Sequence, residues 1–313
     1  MKDISDKSNH MAMSDPPPIP PSPSDCCGNG CTPCVNDIYD QELELWKERQ
    51  ETNANQEDIS GGEVKELSES AYTDFECIGV TQVTLTTRIF RFSLGNPRAI
   101  LGHSAGQHLV VRGVLEGEAL TRQLSILSSP GQRGQFRLCV KLYKEGKMSQ
   151  IMADWKEGSK VQCRGPFGAF KYQPNSCTRI VMLAQGTGLV PFIPILEQVL
   201  GDQEEEGKVR LLYSTSNREE VLCQEEINEF CGFWNFSCKI FIGGRNAVKV
   251  CRVPQREVVW SKLGEKEVKQ EVENNNLVDS TMFLVCGSKQ YQQEICDILT
   301  TGCGVGSQQI QRF

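Results

Sequence analysis

The 313-residue chain is 39% hydrophobic, enough to give two ordinary domains a core each. Its formal charge of −7 sits at the front: Met1–Val64 holds four Lys or Arg against thirteen Asp or Glu, a balance of −9 that leaves +2 for the rest. No basic stripe offers a nucleic-acid footprint, and no apolar run nears the about 20 residues that span a bilayer. Met1–Asp15 is polar, without a signal-type apolar stretch or a glycine after Met1, so a cytoplasmic protein with no transmembrane anchor is expected. Nothing in the pattern argues against a monomer. The fifteen cysteines, odd in number and mostly spread through apolar segments, read as reduced core thiols.

Ser14–Asp25, SDPPPIPPSPSD, is a proline-rich spacer, extended and solvated, that runs into CCGNGCTPC at Cys26–Cys34. A helix is predicted over Asn36–Gln50, with Ile38, Leu45 and Trp46 on or near one face and acids towards its start. Asn53–Gly62 reads as a linker. From about Phe75 the apolar period becomes two: Val83–Leu94, Gly106–Leu115, Thr121–Ser129 and Gly134–Lys144 are strand-like and parted by glycine or proline turns. In the last of these, Phe136, Leu138, Val140 and Leu142 face one way and Arg137, Cys139 and Lys141 the other. Many short strands closing on each other imply an antiparallel barrel, with one brief helix over Met148–Gly158.

After Cys177 strand alternates with helix. Arg179–Ala184 leads to Val190–Leu200, Val209–Ser214 to Cys223–Cys231, and Thr281–Cys286 to Tyr291–Thr300. Such alternation implies a parallel sheet with helices on both faces. Three units follow: a tail and linker over 1–64, a barrel over 65–175 and an α/β domain over 176–313.

Gly186-Thr187-Gly188 interrupts an apolar run where a strand should deliver the chain into a helix. Ligands of doubly wound sheets lie at that edge, where glycines let the backbone come close and the Thr187 hydroxyl can donate or accept. Cys286-Gly287 ends a second strand at a comparable edge, while GKMS (Gly146–Ser149) and RGPFG (Arg164–Gly168) lie in the preceding barrel.

The succession GQH (Gly106–His108), the Arg-led strand Arg122–Ser128, VKLY (Val140–Tyr143), GKMS, RGPFG, MLAQGTGLVP (Met182–Pro191) and LVCGS (Leu284–Ser288), closing on Phe313, resembles the ferredoxin-reductase-like flavoproteins. Within them it is most similar to the NADH-cytochrome b5 reductase group. The tail, with its Pro-rich lead, Asp-Cys-Cys, Cys-x-x-Cys and following Tyr and Trp, resembles a small oxidoreductase-like module. The resemblance implies a Greek-key barrel holding FAD, a doubly wound domain holding NADH, a mostly disordered tail, and hydride passed between two rings at the domain junction. It also implies single electrons passed on to a small redox partner such as a b5-type haem protein.

Residue by residue, the resemblance puts Arg122 on the FAD pyrophosphate, where a guanidinium binds phosphate oxygens bidentately. Leu124, Ser125, Ser128, Val140, Lys141 and Tyr143 fall in flavin-contacting motifs. Gly146, Lys147, Met148 and Ser149 would complete the diphosphate grip at a helix start. Gly186, Gly188 and Pro191 would shape the nicotinamide turn, and Thr187 would sit near both rings. Cys286, with Gly287, would lie beside the reactive nicotinamide carbon and orient the ring without attacking it. Glu220 aligns with an acid that contacts the adenosine ribose and favours NADH over NADPH, although Arg218 lies close by. Phe313 would cover the flavin face that NADH approaches; a buried strand-end thiol at Cys286 and a plain C-terminal anchor at Phe313 are the unexceptional alternatives.

One departure stands out. The family pattern Arg-x-Tyr-(Thr/Ser)-Pro-x-Ser appears here as Arg122-Gln123-Leu124-Ser125-Ile126-Leu127-Ser128, without the tyrosine or the proline. Loss of one hydroxyl hydrogen bond, worth about 1 kcal/mol, predicts weaker FAD binding. An alternative from another class is therefore a weak or inactive reductase-like adaptor that binds metal or partners through its tail. Cys26, Cys27, Cys31 and Cys34 could hold zinc or an iron–sulfur cluster, or be free or redox-active thiols, and no metal ligand is assigned. With only His10, His103 and His108, a bis-histidine haem site is not expected.

Overall fold

The computed structural model describes residues 18, 20–21, 35–52, 67–243, 251–253, 256–273 and 280–313. The tail cysteines and His10 lie outside these, as do the side chains of Leu45 and Trp46. The predicted tail helix is α1, Val35–Thr52. Among the described residues no helix is long and apolar enough to cross a membrane.

The first domain is an antiparallel sheet of six strands: β1 (Thr73–Gln82), β2 (Thr87–Ser93), β3 (His108–Leu115), β4 (Glu118–Ser125), β5 (Gln135–Lys141) and β6 (Lys160–Phe167). Their spatial order is β4-β3-β6-β1-β2-β5, and a bridge between Ile126 and Leu138 joins the two edges into a barrel. The β3–β4 hairpin turns on Glu116 and Gly117, both at positive φ, the two-residue loop whose twist matches that of its strands. Alternation supplies the core: Phe90, Phe92 and Phe136 are fully buried, Phe92 stacking on Phe136 at 5.2 Å and Trp155 presenting an edge to Phe90 at 5.2 Å. Each such ring contributes up to about 3 kcal/mol of transfer free energy. The brief helix, α2, is Lys147–Ala153; it stops before the expected Gly158 because Trp155 turns inward to cap the barrel core.

The second domain carries β7 (Arg179–Gln185), β8 (Lys208–Thr215), β9 (Phe236–Ile242), β10 (Cys251–Val253), β11 (Arg256–Val259), β12 (Thr281–Cys286) and β13 (Ile310–Arg312). Their order is β10-β11-β9-β8-β7-β12-β13, parallel throughout except for β10 on β11. Helices α3 (Phe192–Gly201) and α4 (Gln224–Phe230) cover one face; α5 (Glu265–Glu273) and α6 (Lys289–Asp297) cover the other. The reversal of strand order at β7, between β8 and β12, creates the switch point at which open α/β sheets take their ligands.

The alternation along β5 has a consequence that periodicity alone does not show. Phe136, Leu138 and Val140 fill the barrel, but Cys139 on the other face is also buried, in the core cluster that holds Leu189, Tyr213 and Leu222 of the second domain. The outer face of β5 is thus an interdomain face, and the two domains share a core.

Candidate functional site: the interdomain cleft

Between the domains lies a cleft of 2460 Å³. That exceeds the roughly 300–1,000 Å³ of a pocket for one small ligand, so the cleft has room for more than one.

On the α/β side the floor is set by backbone. Strand β7 ends at Gln185, and the chain makes a 3₁₀ turn over Gly186–Leu189 before α3. Gly186 has φ +55, a left-handed conformation that favours glycine. Gly188 is pressed against the end of β12: a β-carbon there would lie 2.6 Å from the Cys286 carbonyl carbon and 2.8 Å from Gly287 N. Gly186, Thr187, Gly188, Cys286 and Gly287 all line the cleft. Pro191 caps the start of α3 and is buried outside the cleft lining, so its part is to turn the chain. Burial pushes the Cys286 thiol up to about 12, so it is a neutral thiol at pH 7 and cannot act as a ready nucleophile.

The last residue closes this edge. Phe313 N–H donates to the Val285 carbonyl at 3.1 Å, and its ring packs edge-on against Phe170 at 5.1 Å and Phe192 at 5.4 Å. Gly106 makes room for it, since a β-carbon there would meet the Phe313 ring at 2.8 Å. The Gln292 amide, almost fully buried on α6, donates to both the Phe313 and Gly287 carbonyls at 3.0 Å. Sequence reading missed Gln292, because a lone glutamine on a helix gives no sign of its distant partners.

On the barrel side Arg122, Leu124 and Ser125 line the cleft from β4, and Val140 and Lys141 from β5. Tyr143, Gly146, Lys147, Met148 and Ser149 line it from the start of α2, where no side chain caps the first turn. The Ser149 hydroxyl accepts the Tyr143 N–H at 3.0 Å and holds that turn. Ser128 stands apart from these residues. It is buried outside the cleft lining and its hydroxyl accepts the Arg137 N–H at 2.6 Å, so its placement is that of a strand-end brace.

The departures from the flavin motif are absorbed locally. Ile126, in the proline position, is fully buried and donates its N–H to the Gln107 carbonyl at 3.1 Å, a bond proline could not make. Leu124 keeps apolar contact with the barrel core while lining the cleft, and brings no hydroxyl.

Glu220 also lines the cleft but is turned towards the barrel. Its Oε2 accepts the Thr86 hydroxyl at 2.8 Å and lies 3.6 Å from the Lys141 ammonium, so this acid ties the two domains together.

The cleft presents polar atoms that the protein leaves unpaired. Thr87 Oγ1, His108 Nε2 and Gln292 Oε1 are buried in its lining without a hydrogen-bond partner among the described residues. Burying such a group costs about 1–3 kcal/mol unless a ligand or water satisfies it, so the donor and acceptor set fits polar cofactors. Burial also lowers the His108 pKa to about 4, keeping the ring neutral.

A barrel and a switch-point sheet sharing one long cleft define the ferredoxin-reductase-like class of flavin- and nicotinamide-binding oxidoreductases. Residues 74–172 match the oxidoreductase FAD-binding domain, 182–297 the oxidoreductase NAD-binding domain, and 15–55 the family described as oxidoreductase-like protein, N-terminal. The chain belongs to the NADH-cytochrome b5 reductase-like family: it is 33% identical over 298 residues to a mouse (Mus musculus) protein of that description and 30% over 290 residues to a human (Homo sapiens) one, each match covering 90% of both chains. The fold is also that of the cytochrome b5 reductase domain of Ulva prolifera nitrate reductase, with TM-score 0.68 at 20% identity over 80% of this chain and 100% of that one. The CS-b5R domains of human Ncb5or superpose with TM-score 0.64 at 16% identity over 78% of this chain and 69% of that one. The barrel is accordingly the FAD-binding domain and the parallel sheet the NAD-binding domain.

Proposed function

We propose that the protein takes hydride from NADH onto FAD and passes electrons singly to a small redox protein such as a b5-type haem protein, a reading supported by relatives described as NADH-cytochrome b5 reductase-like. The observation that carries this reading is the convergence of Thr187, Cys286 and Phe313 from the sheet with Arg122, Lys141 and Ser149 from the barrel on one cleft. Bound FAD supplies the conversion of two-electron input to one-electron output; the chain supplies alignment and exclusion of water.

Arg122 and the open first turn of α2 hold the flavin diphosphate, with Gly146, Lys147 and Ser149 shaping that turn and Met148, Val140, Leu124, Ser125 and Tyr143 bordering the flavin. Gly186 and Gly188 bring backbone close to the nicotinamide, and the Thr187 hydroxyl offers it a hydrogen bond. Cys286 and Gly287 border the ring, the thiol acting as a neutral spacer. Phe313, lining the cleft, would cover one face of a flavin bound there and exclude water from it. Glu220 adds negative charge near the adenosine ribose, disfavouring a 2′-phosphate, while it bridges to Lys141.

The test is spectroscopic. The purified full chain should carry a yellow flavin spectrum that NADH bleaches, reduce ferricyanide with NADH faster than with NADPH, and reduce a b5-type haem protein. A colourless chain that FAD cannot reconstitute overturns the reading.

A further inference from the structure

The N-terminal module faces the cleft. Pro18, Pro20 and Pro21, together with Val35, Ile38 and Tyr39 of α1, line the same cavity as Arg122, Thr187 and Phe313. Val35, Ile38 and Tyr39 are spaced i, i+3, i+4 and so share one helix face. On that face Ile38 is only 4% exposed and Val35 and Tyr39 are half-buried, whereas Asn36, Asp37, Asp40 and Gln41 are exposed. The helix therefore buries its apolar stripe and keeps its acidic side towards water, as an amphipathic surface helix should.

The prolines tell the other half. All three border the cleft, yet Pro20 is exposed and Pro18 and Pro21 are only half-buried, so apolar ring surface is left facing the cavity. Proline rings and a tyrosine make flat, apolar surfaces, the kind on which a purine or other ring system stacks, and prolines hold an extended strip at little entropic cost.

We propose that Pro18, Pro20 and Pro21, with the Val35, Ile38, Tyr39 face of α1, form a wall of the dinucleotide site that covers bound dinucleotide and slows its escape. The proposal rests on the reading that this cleft holds FAD and NADH, and it assigns the module a part in cofactor retention that its cysteines do not require. Because the wall comes from outside both nucleotide-binding domains, it can change retention without altering Arg122 or the Gly186–Gly188 turn.

The experiment uses the FAD-loaded full chain, Ile38→Asp, which places a charge at the docking point, and Tyr39→Ser, which removes the aromatic surface. Three quantities are read: FAD release on dilution, from the rise in free-flavin fluorescence; the Kd of NAD+; and the rate of tryptic cleavage at Lys47, which reports whether α1 stays docked. Ile38→Asp should speed cleavage at Lys47 and raise FAD release, the NAD+ Kd, or both by about tenfold, the factor expected when one apolar side chain's burial is lost. Tyr39→Ser should give a smaller rise with cleavage unchanged. An effect on FAD alone or NAD+ alone supports the wall and tells which dinucleotide it covers. Faster cleavage with both ligands unaffected overturns the proposal, as does a wild-type helix cut as fast as the variant's. A wild-type chain that takes up neither dinucleotide overturns the reading of the cleft as well.

Discussion

Gly188 lies against the end of β12 so closely that a β-carbon would sit 2.6 Å from the carbonyl carbon of Cys286 and 2.8 Å from Gly287 N. Both obstacles are backbone, which cannot swing away as a side chain would. At Gly186 nothing lies within 4 Å, and only its φ of +55 opposes a side chain. Gly186→Ala should therefore cost about 1–2 kcal/mol of stability and keep NAD+ binding near normal. Gly188→Ala must push the turn off β12, and NAD+ titration should show a loss of at least tenfold, about 1.4 kcal/mol. Equal effects of the two substitutions would show that the close approach does not matter.

Burial that lifts the Cys286 pKa to about 12 also fixes its pH behaviour. A thiol with a raised folded-state pKa binds its proton more tightly folded than unfolded. Its contribution to stability is fully present below about pH 8.5, the unfolded value, and is lost as pH rises from there towards about 12. Cys139 and Cys238, also raised to about 12 by burial, add to the same slope. The melting temperature should hold level from pH 7 to 8.5 and fall above it, more gently in Cys286→Ala than in wild type. Iodoacetamide should label Cys286 in the folded chain far more slowly than a free thiol at pH 8, where its thiolate fraction is on the order of 10⁻⁴. Rapid labelling would place the thiol in an accessible, activated setting instead.

Most of the architecture was legible because its periodicity is local. Gln135–Lys141 alternates and is a strand; Thr281–Cys286 reads as a buried strand and is one. What local pattern could not carry was partnership across the chain. Cys139 looks solvent-facing by period yet packs on Leu189 and Tyr213, because the face opposite the barrel core is covered by another domain. Strands β9 and β13 and helix α5 were not anticipated: β13 is a three-residue strand held only by pairing with β12, too short to show a period. The residues of the glycine and cysteine motifs, Gly186, Gly188 and Cys286, line the cleft. Gln292, Thr86 and the turning of Glu220 towards the barrel were not legible, since each depends on a partner tens of residues away.

Glu220 anchors Thr86 and Lys141, and the proposed function also gives its carboxylate a charge effect on the nucleotide. Glu220→Gln keeps an acceptor for the Thr86 hydroxyl but removes the charge. It should cut the preference for NADH over NADPH in ferricyanide reduction by about tenfold while the melting temperature shifts little. Lys141→Met removes a partly exposed pair, worth about 0–1 kcal/mol, and should leave coenzyme preference nearly intact. An unchanged preference in Glu220→Gln would confine Glu220 to bridging the domains.

Leu124 borders the cleft where the family pattern has tyrosine, and it supports the barrel core without offering a hydroxyl. Restoring that group in Leu124→Tyr should tighten FAD binding by about five- to tenfold, the worth of one hydrogen bond of about 1 kcal/mol. Equilibrium dialysis of FAD against the two chains reads this directly. A looser complex would mean that the surrounding side chains have closed over the space and the added ring overpacks it.

Phe313 can act on the flavin face only if its position is fixed, and one buried amide does much of this. Gln292 Nε2 spans the Phe313 and Gly287 carbonyls at 3.0 Å each, so the last residue is tied to the Cys286-Gly287 edge, while Gln292 Oε1 remains unpaired in the cleft. Gln292→Met preserves length and volume but removes both donors, leaving two carbonyls without a partner at about 1–3 kcal/mol. The Phe313 ring should then be less firmly held: the visible flavin bands of the FAD-loaded chain should shift, and NAD+ should bind with altered affinity. Gln292→Glu keeps the side chain's length and shape, but its carboxylate cannot donate to either oxygen. If Gln292→Met alters stability alone, with flavin bands and NAD+ affinity as in wild type, the amide is a packing element and Phe313 is held by its ring contacts with Phe170 and Phe192.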